Sequence, residues 1–191
     1  MTTTVDPHPR SFLKYMAPVA VILALVLAVL FFLQSRLENT GESHAVAPIA
    51  AGSTLPDFQL YAINKAPVPI SSIQSKVILV NFWASWCEAC MSEMPSLVNL
   101  WGQYKDKGFQ VVSVNVDENP ELVMPRVAHD LHMRFPLFVD RGQKLSDLFD
   151  VHAIPLSVIM DSHRKILYIE TGERDWTDPA VKQQLEKWLS G

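Results

Sequence analysis

From Lys76 to Ala84 the chain reads KVILVNFWA, apolar, β-branched or aromatic at nearly every position and interrupted only by Asn81. Alternate side chains of a strand point to opposite sides, so an unbroken apolar run predicts a strand buried on both faces of a sheet. FQVVSVNVDE, from Phe109 to Glu118, has the same character. Between the two, Met94, Leu97, Leu100, Trp101 and Tyr104 recur at helical spacing, and two lysines precede Gly108, as suits a helix C-terminus. Pro95 is expected to kink that helix. Strand, helix and strand make a βαβ unit, whose crossover is right-handed and whose two strands are parallel.

The remaining segments extend this unit. A helical stretch is predicted from about Leu122 to His132, a short strand over FPLFVD, and a helix around Gln143 to Phe149. LSVIMD and KILYIET flank the turn-like SHR and read as an antiparallel hairpin, and DPAVKQQLEKWLS reads as a closing helix with Asp178 as N-cap and Pro179 in its first turn. Ahead of the first buried strand, DFQLYAI alternates and APVPISS carries two prolines, which predicts a short edge hairpin. The expected class is α/β, a mixed central sheet flanked by helices.

A different pattern occupies the N-terminal part. MAPVAVILALVLAVLFFL, residues 16–33, carries no charge and as a helix would extend about 27 Å, enough to cross a bilayer. The run is longer than the apolar region of a secretory signal, about 7 to 15 residues, and the small-residue pattern Ala45-Val46-Ala47 lies well beyond it, ahead of Pro48. We therefore expect an uncleaved transmembrane anchor. Arg10 and Lys14 precede it, whereas Arg36 follows it beside Glu38 and Glu42, which places residues 1–15 in the cytoplasm and the rest outside. Residues 34–53 read as a polar tether, and residues 54–191 as the folded domain.

Composition adds two exclusions. With 191 residues, 49% of them hydrophobic, the chain has room for one ordinary domain besides the anchor. A net charge of -4, with no cluster of Lys and Arg, excludes a surface that follows a phosphate backbone, so no nucleic-acid partner is expected.

The chain has two cysteines, Cys87 and Cys90, placed where the first buried strand meets its helix. A Cys-x-x-Cys pair there is a redox signature. At the helix N-terminus, unpaired N–H groups and the macrodipole favour a thiolate on Cys87, and Cys90, one turn in, is suited to resolving a mixed disulfide. Other uses of the pair stay open. A structural disulfide closing so short a loop would remove little unfolded-state entropy. Zinc would need further ligands from histidine or acidic side chains. Two thiolates suffice for Cu(I), which leaves a copper-carrying role. His129 and His132 share a helix face without a third ligand and read as surface residues; His152 reads as loop packing and Trp83 as core.

VILVNFWASWCEAC, Pro95 and VHAIPLSVIMD together resemble the thioredoxin fold, and within it the membrane-anchored TlpA/ResA-like thiol-disulfide reductases, from about Thr54 to Leu189. Residues 119–141 resemble the helix and strand inserted in that subfamily. The resemblance implies a cis Ile154–Pro155 peptide with the Ile154 backbone beside Cys87, where a substrate chain can pair like an added strand, and no cofactor beyond the cysteines. Trp86 is a candidate substrate contact.

Two carboxylates bear on the direction of electron flow. Asn81 stands where thioredoxin carries a buried, titratable aspartate, so another group must move the proton. Glu93, one turn after Cys90 on the same helical face, matches the glutamate that ResA-like proteins place by the site and is the expected acceptor. Glu88, between the cysteines, opposes a thiolate on Cys87 by like charge and favours a reductant over a strong oxidant. Ala89 departs from the proline common in the family's motif, and Leu156 and Ser157 depart from a glutamate that follows the cis-proline in one cytochrome c maturation subgroup. The resemblance implies protein disulfides as substrates, among them apocytochrome c or oxidase copper-site cysteines, and a DsbD/CcdA-like transmembrane electron donor. A DsbA-like oxidase or isomerase is the alternative.

Overall fold

The structure is a computed structural model that describes residues 22–32, 34, 49–63 and 65–191. The chain divides into two units, Met1–Ala45 and Val46–Gly191. In the first, residues 22–32 form a helix, α1, whose side chains are all exposed. Among the described residues no helix is long and apolar enough to cross a membrane. The predicted anchor, residues 16–33, is described only in part, and residues 1–15 and most of the predicted tether lie outside the described residues.

The second unit is built on a five-stranded sheet of order β5-β4-β3-β6-β7. Its strands are β3 (Val77–Trp83), β4 (Phe109–Asn115), β5 (Leu137–Val139), β6 (Leu156–Asp161) and β7 (Ile166–Thr171). β3 pairs in parallel with β4 and antiparallel with β6, so the sheet is mixed, as the sequence predicts. The predicted N-terminal hairpin forms as β1 (Gln59–Leu60) against β2 (Val68–Pro69), outside the main sheet. Asp57 holds its return, accepting from the Ser71 backbone N–H at 3.1 Å and from the Ser71 hydroxyl at 2.7 Å. Backbone pairing starts just ahead of Thr54, where Gly52 N–H donates to the Ile166 carbonyl at 2.7 Å.

The helices are α2 (Glu88–Tyr104), α3 (Pro120–Asp130), α4 (Lys144–Leu148) and α5 (Pro179–Ser190). α2 continues through Pro95 and ends at Tyr104; a 3-10 turn over Lys105–Lys107 and a left-handed Gly108 (φ 95°) complete the stop that the lysines predict. α3 starts two residues before the predicted Leu122, because Pro120 supplies the φ of a first helical turn. The Asp178 carboxylate accepts from Ala180 N–H at 2.7 Å, capping α5 as expected.

Buried strand β3 separates two cores. Val77, Leu79 and Trp83 face α2 and α5, packing with Met94, Leu97, Leu100 and Leu185. Ile78, Val80 and Phe82 face the other side, with the hairpin's Leu60 and with Leu145 and Phe149 from and beside α4. An apolar run that shows no alternation in sequence is thus divided residue by residue between two layers. At Asn81 that division puts a polar side chain on the α2 side.

Candidate active site

Cys87 is the N-cap of α2, with extended backbone (φ -87°, ψ 102°), and its Sγ lies 3.2 Å from the Cys90 backbone N–H. That N–H is one of the donors a helix leaves unpaired at its start, so the sulfur sits where partial positive charge gathers. Cys87 and Cys90 form a disulfide. Cys87 is 8% exposed and Cys90 fully buried, so a partner sulfur can approach only Cys87. The reading of Cys90 as the less exposed of the pair agrees with this asymmetry.

The loop that presents the pair is fixed by Asp117, which sequence reasoning did not single out. Its carboxylate accepts from Ser85 N–H (2.9 Å), Ser85 Oγ (3.0 Å) and Asn115 Nδ2 (2.7 Å). These bonds tie the end of β4 to the turn between β3 and α2. The only hint in the sequence is a polar cluster, NVDEN, directly after a buried strand.

Across from the cysteines, the Ile154–Pro155 peptide is cis. The Ile154 carbonyl oxygen lies 3.8 Å from Cys87 Sγ, so backbone hydrogen-bonding groups adjoin the accessible sulfur. Trp86, 71% exposed, stands beside it. Trp86 and Ile154 line a groove of about 660 Å³ together with Val116, Asp147, Asp150 and His152. His152, read from sequence as loop packing, lies exposed in this groove with Nε2 2.9 Å from an Asp150 carboxylate oxygen. Trp83 is core, as predicted.

Glu93 is the buried carboxylate of the site, only 2% exposed and on the same helix as Cys90. Burial pushes its pKa from 4.5 up to about 7, against the pull of donors on the Arg174 backbone, Asn81 and Trp176, and the nearby Glu173 charge adds to the upward push. Arg174 backbone N–H donates to Oε2 at 3.1 Å and Asn81 Nδ2 donates to Oε1 at 2.9 Å. Glu88 stands exposed in the first turn of α2, where water screens its charge. His129 and His132 are exposed, and among the described residues no three His, Cys, Asp or Glu side chains gather as a metal site.

The family model described as Redoxin matches residues 50–185, which span the sheet, the cysteine pair and the cis-proline. The chain belongs to the redoxin family. Within it the similarity is to ResA proteins: the thiol-disulfide oxidoreductase ResA of Oceanobacillus iheyensis is 31% identical over 157 residues, covering 80% of this chain and 79% of that one. The ResA of Bacillus subtilis is 29% identical over 124 residues, 65% of this chain and 69% of that one. Among solved structures, one described as a thiol:disulfide interchange protein DsbE from Chlorobium tepidum superimposes with a TM-score of 0.66 at 30% identity, covering 74% of this chain and 99% of that chain. The TlpA/ResA-like resemblance read from the motif holds across most of the domain. This redoxin is a protein thiol-disulfide oxidoreductase whose chemistry resides in Cys87 and Cys90, without a further cofactor.

Proposed function

We propose that this redoxin is a membrane-anchored reductase of protein disulfides, acting outside the cytoplasmic membrane. The observation that carries the reading is the pairing of an accessible Cys87, set against the Ile154 carbonyl at 3.8 Å, with a resolving Cys90 that shares its helix with the buried Glu93. Cys87 thiolate attacks one sulfur of the partner disulfide; a mixed disulfide forms and one partner thiolate leaves. Cys90 gives its proton to Glu93 and attacks Cys87 Sγ, which forms the Cys87–Cys90 disulfide and expels the second partner thiolate. Two electrons pass to the partner. During the mixed-disulfide stage the partner chain lies along the Ile154–Pro155 backbone and against Trp86.

Anchoring is supported by the uncharged run of residues 16–33, within which residues 22–32 are helical. The compartment outside the membrane is oxidising and does not return electrons to the pair. A transmembrane dithiol donor of the DsbD/CcdA kind meets that need. The substrate classes that fit are those the resemblance implies, cysteines of apocytochrome c or of an oxidase copper site.

The test is the reduction potential of the pair, by equilibration with thiol mixtures and counting of free thiols. A value near about -270 mV is expected, as for thioredoxin; one near about -120 mV would make the protein an oxidant and reverse the direction of flow. Trp86→Ala is expected to raise KM for a protein disulfide about tenfold and to leave the rate with a small aromatic disulfide unchanged, because an exposed indole contributes only when a partner covers it. Equal losses on both substrates would show that Trp86 shapes the disulfide itself.

A further inference from the structure

Asn81 sits at the centre of the sheet, opposite Ser113 on β4 and Ser157 on β6. All three side chains are buried on the α2 face, a polar row through an otherwise apolar layer. Both donor positions of the Asn81 amide are used, one on Glu93 Oε1 at 2.9 Å and the other on Ser157 Oγ at 3.0 Å. Its carbonyl oxygen, Oδ1, has no hydrogen-bond partner. A buried amide that leaves its acceptor unmet is poorly explained by packing, since an apolar side chain would fill the place at less cost. It is explained by the donors. Ser157 lies two residues beyond Pro155, on the strand that begins at the substrate-facing backbone.

We propose that Asn81 and Ser157 are positioning residues, a hydrogen-bonded bridge that fixes the Glu93 carboxylate and ties it to the strand leading from the Ile154–Pro155 docking backbone. This inference rests on the reading of Glu93 as acceptor of the Cys90 proton. Asn81 donates without titrating, so it holds one carboxylate oxygen and does not compete for the proton, as an aspartate at this place would. Its donation favours the ionised carboxylate and opposes the upward effect of burial. Ser157 engages the second N–H and so sets the rotation of the amide. Loss of either residue weakens the restraint on Glu93 in the same direction.

The experiment uses the reduced full chain and an aromatic disulfide whose thiol is coloured. Cys87 attack releases a first equivalent of coloured thiol, and resolution by Cys90 releases a second, so stopped-flow recording over pH 5 to 9 separates the two steps. For the wild-type protein the resolution step should rise through about pH 7. In Asn81→Ala the midpoint should move up by about one pH unit, with the first phase unchanged. Ser157→Ala should move it the same way by less, and Ser157→Thr, which restores a hydroxyl, should return it to the wild-type value. If Asn81→Ala does not fold, the two Ser157 variants decide. Wild-type profiles in Asn81→Ala and Ser157→Ala, with a displaced profile in Glu93→Gln, would overturn the bridge and leave the Glu93 reading standing. A wild-type profile in Glu93→Gln as well would overturn both.

Discussion

Replacing Cys90 with serine is expected to stop the reaction half-way, with the partner protein covalently held on Cys87. Cys87 keeps its place at the α2 N-terminus, its exposure and its neighbour Ile154, so attack on the partner disulfide still proceeds. No second sulfur is available to release the product. Turnover should fall to the uncatalysed level while a complex of the two chains accumulates, seen as a band lost on adding reductant under denaturing conditions. Cys87→Ser should abolish turnover equally but form no complex, because the buried Cys90 is out of a partner's reach. Complex formation by Cys87→Ser instead of Cys90→Ser would reverse the assignment of attacker and resolver. Both variants should remain folded, since a disulfide across so short a loop contributes little to stability.

Glu93→Gln is expected to slow resolution about a hundredfold above neutral pH and to remove its rise through about pH 7. With Glu93 as the proposed acceptor, only its ionised form can take the Cys90 proton, and burial postpones ionisation from 4.5 to about 7. The same shift has a consequence for stability. Between these values the folded protein holds a proton on Glu93 that the unfolded chain has released, so the contribution of this group to stability is full below pH 4.5 and is lost as pH rises through about 7. The loss from this group is up to about 3 kcal/mol. Denaturant midpoints across that window should decline less steeply with pH in Glu93→Gln than in the wild-type protein. An identical slope in the two would place the titrating group elsewhere. Activity and stability thus oppose each other at this residue, as is common where a charge is kept in a buried site.

Glu93, one turn beyond the cysteine pair, and Glu88, inside it, stand in different surroundings. Both belong to the same helix, Glu88 between the cysteines in sequence and Glu93 three residues after Cys90. Glu88 projects into water in the first turn, whereas Glu93 points to the sheet and is held by Asn81 and the Arg174 backbone. Spacing along the helix gives the face; only the packing against β3 gives the burial.

The sequence by itself determined the strand and helix order, the N-terminal hairpin and the placing of Cys87 at the start of its helix. Those features depend on interactions within a few residues: apolar runs, helical spacing, and the unpaired N–H groups of a helix start. What only the tertiary structure decided is how distant segments meet. The Arg174 N–H on Glu93, the Ser157 hydroxyl on Asn81, the Asp117 clamp on Ser85 and the groove that gathers Trp86, Ile154 and His152 each join parts of the chain separated by a strand, a helix or more. Nor does β3's uniform apolar run reveal which of its residues face α2. A strand buried on both sides carries no alternation to read, and its facing is settled when the two layers close on it.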